Sequence, residues 1–216
     1  MSFKCVIFDF DGTLADSKEC SVRSTQQAFS MMGFSVPSHQ LIEHYMGIPI
    51  EQSFLDMSEE TLDDNTLAEL ITTFRDCYKN NERSTLQVFP YFPGVLDALH
   101  GKEIKCFVLS SKKTDVLDRN LKQLNIRDYF EEIYGSDRVK EYKPHPYGIL
   151  QILKKYNFEK NTAVMIGDAT FDIEMGKSAE ITTVAVTWGS HNLKELKKSS
   201  PTFIADSPSQ LKEMLT

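Results

Sequence analysis

The stretch Lys4-Cys5-Val6-Ile7-Phe8-Asp9-Phe10-Asp11-Gly12-Thr13-Leu14-Ala15-Asp16-Ser17 decides the fold. Its apolar run from Cys5 to Phe8 has no polar alternation, the pattern of a strand covered on both faces of a parallel sheet. The run ends abruptly in two acids, Asp9 and Asp11. In open α/β sheets ligands bind in the crevice beyond the carboxyl ends of the strands, which is where this pair falls. Gly12 lets the backbone turn tightly, and Thr13 adds a hydroxyl. An Asp-Gly dipeptide can also close a β-hairpin. Here, however, the residues after Asp16 read as a helix, not as a second strand. Acids at the end of a buried strand are costly unless something compensates their charge, so the pair marks a functional site.

Working outward, residues 16 to about 86 read as all-helical. Asp16 or Ser17 caps a helix carrying Val22, Thr25, Phe29 and Met32, with Glu19 completing a capping box, and Gly33 stops it. Pro37-Ser38 starts a second helix and a short third runs through Phe54. The clearest helix spans about Asn65 to Asn80, with Leu67, Leu70, Ile71, Phe74, Cys77 and Tyr78 on one apolar face. From Phe89 onward strands and helices alternate. Buried strands are expected over Ile104–Leu109, Ile133–Tyr134, Ala163–Ile166 and Thr183–Val186, and a short one at Phe203-Ile204. Helices are expected after Pro93, after a Thr114 cap, over Tyr147–Tyr156 and at the C-terminus. The fold class is therefore α/β: a Rossmann-like, three-layer parallel-sheet core of residues 1–15 and 87–216, with a helical domain, 16–86, inserted after the first core strand.

Two further strand ends carry chemistry. Ile104–Leu109 stops at Ser110-Ser111-Lys112-Lys113. Val164-Met165-Ile166-Gly167-Asp168 is a buried strand ending in Gly-Asp, with Asp172 four residues on. If a helix begins near Thr170, Asp172 also complements its dipole, which leaves Asp168 unexplained. Asp9, Asp11 and Asp168 at adjacent strand ends would repel one another. A hard divalent cation with oxygen ligands would resolve this.

Asp9-Phe10-Asp11-Gly12-Thr13-Leu14 resembles the signature of the haloacid dehalogenase superfamily, in its phosphatase branch. Ser110, Lys143-Pro144-His145-Pro146 and Gly167-Asp168 through Asp172 resemble that family's remaining motifs, in order, so the likeness spans almost the whole chain. It implies a hydrolase of phosphoric monoesters. Asp9 would be the nucleophile that forms an aspartyl-phosphate, and Asp11 the general acid and base. Ser110 and Lys143 would hold the phosphoryl oxygens. Mg²⁺ would be held by Asp9, the Asp11 backbone carbonyl and Asp168, with Asp172 alongside them. Gly12, Thr13, Ser111, Lys112 and Gly47 are the expected substrate contacts, and the inserted domain is a cap that selects substrate. Its Met46–Phe54 segment is similar to the specificity loop of phosphoglycolate-phosphatase-like members. A β-phosphoglucomutase-like mutase and an inorganic pyrophosphatase are alternatives on the same scaffold. A phospho-accepting signalling protein is the alternative from another class.

Composition bounds the partners. Hydrophobic residues are 41% and charged residues 25% of 216, which indicates neither disorder nor a membrane protein. No apolar stretch reaches spanning length and no signal peptide precedes the first strand, so a cytoplasmic location is expected. The net charge of −7 argues against nucleic-acid binding. The four scattered cysteines form no metal pattern. The expected partner is a small phosphorylated metabolite, and the chain is expected to be a monomer or homodimer.

Overall fold

The structure, a computed structural model, describes residues 2–46 and 48–216. Gly47, expected in the substrate loop, lies outside the described residues. In chain order the elements are β1 (Cys5–Phe8), β2 (Ala15–Asp16), α1 (Lys18–Met31), α2 (His39–His44), α3 (Ile50–Met57), α4 (Asp64–Thr85) and β3 (Gln87–Val88). Then come α5 (Phe92–Gly101), β4 (Lys105–Leu109), α6 (Thr114–Gln123), β5 (Phe130–Tyr134), α7 (Tyr147–Tyr156) and β6 (Ala163–Gly167). The chain closes with α8 (Thr170–Ser178), β7 (Thr182–Val186), α9 (Leu193–Lys198), β8 (Phe203–Ala205) and α10 (Pro208–Leu215). Two compact units result, one from residues up to Asp16 with Val88–Thr216, the other Ser17–Gln87.

The first unit is a six-stranded sheet in the order β5-β4-β1-β6-β7-β8. Every neighbouring pair in it is parallel. β1 sits inside the sheet, and its four residues are fully buried. Cys5 and Ile7 face a cluster with Phe107, Ile149, Ile152, Met165 and Met175, which covers that side with α7 and α8. On the other side Phe8 meets Phe92 of α5 edge-to-face at 5.7 Å. Both faces are thus covered by helices, which is why β1 carries no polar alternation. Each such buried side chain contributes roughly 1.5–3 kcal/mol.

The second unit is helical, around Val22, Phe29, Ile42, Phe54, Leu70 and Ile71. Phe29, Phe54 and Phe74 meet edge-to-face at 5.4 Å. Ser38 and Asp63 cap α2 and α4 by accepting from Leu41 and Thr66 N–H. Two local expectations differ. Ser17 holds the N-cap position of α1 without a side-chain cap bond. α4 runs on through Thr85 because its last turn is secured by polar groups rather than by the apolar stripe. Asn81 Nδ2 donates to Ser24 Oγ at 3.1 Å and Gln27 Oε1 at 2.8 Å, and Thr85 Oγ1 donates to Asn81 O. Among the described residues no helix is long and apolar enough to cross a membrane.

Candidate active site

The sheet delivers its polar residues to one edge. Asp9 follows β1 directly, and its N–H donates to Ile166 O at 2.9 Å, continuing the ladder to β6. The following turn is closed by Gly12 N–H to Ala15 O at 2.9 Å, with Gly12 at φ +75°. A Cβ at Gly12 would also lie 2.2 Å from Asp168 Oδ2, so both backbone conformation and space demand glycine there. Gly167, at the end of β6, is packed as tightly: a Cβ there would lie 2.3 Å from the Asp172 side chain.

Three carboxylates converge. Asp9, Asp168 and Asp172 are buried and offer oxygens within 4.8 Å of one another. Lys143 bridges two of them, its Nζ 2.6 Å from Asp9 Oδ1 and 2.7 Å from Asp172 Oδ1. The other Asp172 oxygen accepts from Ala169 N–H at 3.1 Å, so this acid both caps α8 and seats the lysine. Asp168 Oδ1 accepts from Thr13 Oγ1 at 2.9 Å, and its Oδ2 from Ser190 N–H at 2.7 Å. Asp11 is partly buried, with Lys112 Nζ 3.0 Å from its Oδ1 and also over the Phe10 ring. Ser110 is buried at the end of β4; its N–H donates to Tyr134 O and its Oγ accepts from Lys112 N–H at 3.2 Å. A cleft lined by Ser110, Ser111, Tyr142, Lys143 and His145 opens beside them.

Four carboxylates and two ammonium groups leave the edge with excess buried negative charge. Burial pushes the Asp9 carboxyl well above the usual range, and Asp172, Asp168 and Asp11 push the same way against Lys143. Burial, then Asp172, raises Asp168 to about 6 despite the Ser190 and Thr13 hydrogen bonds. For Lys143 burial works against the charge, but Asp172 and Asp9 outweigh it and hold the ammonium above its ordinary value. Hard oxygen donors this close and this poor in cations fit a small divalent ion.

A family model for haloacid dehalogenase-like hydrolases matches residues 6–186. The chain belongs to that family.

Similar proteins match over nearly its whole length. A phosphoglycolate phosphatase from Aquifex aeolicus is 29% identical over 212 residues, 98% of this chain and 96% of that protein. The pyrophosphatase PpaX from Listeria monocytogenes is 28% identical over 207 residues, covering 95% and 93%. A haloacid dehalogenase-like hydrolase structure from Streptococcus pneumoniae superposes with a TM-score of 0.87 at 28% identity, covering 99% of each chain. A Haemophilus somnus structure at 23% identity shares the fold with a TM-score of 0.94, covering 100% of this chain and 99% of that one.

Of the residues singled out in the sequence, the structure brings Asp9, Asp11, Gly12, Thr13, Ser110, Lys112, Lys143, Asp168 and Asp172 into this hydrolase's strand-end edge. Ser111 lines the cleft beside them. The Thr13 hydroxyl is spent on Asp168. Sequence reasoning missed the Trp188-Gly189-Ser190 turn after β7. Its one available signal was a buried strand running into a glycine turn, the pattern that had exposed Asp168.

Proposed function

We propose that this hydrolase is a Mg²⁺-dependent phosphatase that cleaves a small phosphate monoester through an aspartyl-phosphate intermediate. The observation that carries the reading is Lys143 held between Asp9 and Asp172, with Asp168 beside them. A strand-end carboxylate with an adjacent ammonium can attack phosphorus while the non-bridging oxygens meet positive charge. Asp9 attacks, the P–O bond to the leaving alcohol breaks, and Asp11 gives that oxygen its proton. Asp11 then takes a proton from water, which attacks phosphorus, and the P–O bond to Asp9 breaks to release phosphate. Ser110 Oγ and Lys143 Nζ bind the transferred group. Mg²⁺, held by the Asp9 carboxylate, the Asp11 carbonyl and Asp168, would supply charge neutralisation at the phosphoryl oxygens. Asp172 acts through Lys143.

Residues 16–86 are assigned the role of a cap that selects the leaving group, with the segment through Phe54 as its specificity loop. Within that segment Ser53 Oγ lies 3.1–3.3 Å from the Tyr45, Ile48 and Pro49 carbonyl oxygens. The relatives' names put phosphoglycolate and pyrophosphate first among candidate substrates. The test is phosphate release from a panel of both, with sugar phosphates, nucleoside monophosphates and an aryl phosphate, in Mg²⁺. Turnover of a monoester with a hydroxylamine-sensitive phosphoprotein is the expected result. Absence of phosphate release across the panel would overturn it, and a stable phosphoprotein would point to a phospho-accepting signalling protein.

A further inference from the structure

Trp188, the only tryptophan in the chain, sits in the turn after β7. Its ring packs edge-on against Phe89 and Phe92 at 6.3 and 6.4 Å. Its Nε1–H donates to the Thr13 carbonyl at 3.2 Å. Thr13 in turn gives its hydroxyl to Asp168 Oδ1, and Ser190, two residues after the tryptophan, gives its N–H to Asp168 Oδ2. Between them lies Gly189, where a Cβ would sit 2.3 Å from the Asp168 side chain. The contacts close a ring: Trp188 to Thr13, Thr13 to Asp168, Asp168 to Ser190, and Ser190 back along the chain to Trp188.

We propose that the Trp188-Gly189-Ser190 turn is a positioning element that aims the Asp168 carboxylate at the cation, an inference that rests on the Mg²⁺ reading above. A carboxylate on a free side chain rotates about two torsions, and each hydrogen bond to a different oxygen removes part of that freedom. With one donor on each oxygen, the plane of the Asp168 carboxylate is fixed before the ion arrives. The remaining lone pairs then point in a set direction. Partners of this kind affect metal affinity by about 10–100-fold when removed. The indole contributes at one remove, by tying down the backbone that carries the Thr13 hydroxyl. The turn's anchor is the packing of the Trp188 ring against Phe89 and Phe92.

The experiment is Mg²⁺ binding by calorimetry, together with the Mg²⁺-induced rise in Tm, on full-length wild type and variants. Trp188→Phe keeps a smaller ring against Phe89 and Phe92 and removes the N–H donor. Its Kd for Mg²⁺ should rise about 10-fold, with the metal-free Tm within a few degrees of wild type. Gly189→Ala, which drives a methyl into Asp168, should weaken Mg²⁺ at least as much. Phe158→Leu, in the apolar cluster beneath β4, is the stability control. It should lower the metal-free Tm and leave the Kd unchanged. Equal Mg²⁺ affinity in wild type, Trp188→Phe and Gly189→Ala would overturn the positioning role while leaving the Mg²⁺ reading intact. A Phe158→Leu protein that loses as much affinity as Trp188→Phe would overturn it too, because affinity would then follow global stability. Wild type that binds no Mg²⁺ would overturn both.

Discussion

Beyond the carboxyl ends of β1 and β6, Asp9, Asp11, Asp168 and Asp172 share two lysines, whereas on β5 a single carboxylate, Glu132, is surrounded by partners. Glu132 accepts from Arg138 at 2.6 Å, Lys155 at 2.7 Å, Tyr134 Oη at 2.5 Å and Tyr156 Oη at 3.1 Å. Burial pushes this carboxyl up, but Lys155, Tyr134, Arg138 and Tyr156 outweigh it and bring it down to about 2. Asp168, fully buried and also hydrogen-bonded, stands at about 6. Both acids meet polar partners in one folding unit. The sign differs because Asp168 is the more deeply buried and stands among carboxylates that outnumber the cations, whereas Glu132 faces two cations and two hydroxyl donors. A satisfied cluster stabilises the fold, and an unsatisfied one is where the proposed cation would supply the missing positive charge.

The widest separation between the clusters should appear in turnover. Asp9→Asn removes the proposed nucleophile and should lower kcat by at least ~10⁴-fold in a folded protein, the scale of losing a catalytic group. Glu132→Gln should leave kcat within a few-fold. Near-wild-type turnover by Asp9→Asn would break the comparison at its root. Chelation comes next. Stripping divalent ions should abolish activity, and returning Mg²⁺ to ~100 times its Kd should restore it and stabilise the protein by about 2.7 kcal/mol. The Mg²⁺ increment in thermal stability should vanish in Asp168→Asn and persist in Glu132→Gln. An increment unchanged in Asp168→Asn would place the ion elsewhere.

The third contrast is in pH, with opposite signs. Asp168 has a folded pKa above its unfolded value of 3.8, so between about 4 and 6 the native state binds more protons than the unfolded one. Metal-free stability should therefore fall as pH rises through that window, by roughly 1–3 kcal/mol. Asp168→Asn should flatten that slope, and Mg²⁺ should reverse it. Denaturant melts at pH 4, 5 and 6 measure it directly. A metal-free slope identical in wild type and Asp168→Asn would show that another group causes it.

These clusters also show what a sequence can and cannot display. Asp9 and Asp168 were legible because each interrupts a run of buried apolar residues, a local contradiction that needs no partner to be seen. Lys143 was not: a lysine in a proline-rich turn looks like any surface lysine, and its contact with Asp9 spans 134 residues of chain. It entered only through the family resemblance. Thr13 was placed among the substrate contacts, and nothing local in the sequence shows that its hydroxyl also bonds Asp168, 155 residues away. Thr114 was expected to cap α6 itself. Instead its N–H and hydroxyl both donate to Asp137, which arrives from beyond β5. The fold class was readable because strand and helix periodicities are local. The short strands β2 and β3 carry two residues each and leave no period to detect.

The smallest effect belongs to the satisfied cluster. Glu132 has a folded pKa of about 2 against an ordinary value of 4.5, so its stabilisation is fully present above about 4.5 and is lost as pH falls toward 2. An unscreened shift of that size corresponds to about 3 kcal/mol. Lys155 and Arg138 are 53% and 40% exposed, so solvent screens their charges and about 1 kcal/mol is the better expectation. Glu132→Gln keeps the shape and an acceptor but loses the charge. It should unfold slightly earlier in urea at pH 7 and lose less stability than wild type between pH 4.5 and 2. Tyr134 is fully buried and gives its hydroxyl to this carboxylate, so part of the cost at pH 7 comes from a weakened acceptor rather than from the ion pairs. Repeating the pH 7 measurement in 1 M salt separates the two, because salt screens the exposed ammonium and guanidinium but not the buried hydroxyl. A cost that disappears in salt would mean that Glu132 is held by surface charge alone. The two clusters would then differ in solvent exposure more than in their ratio of cations to carboxylates.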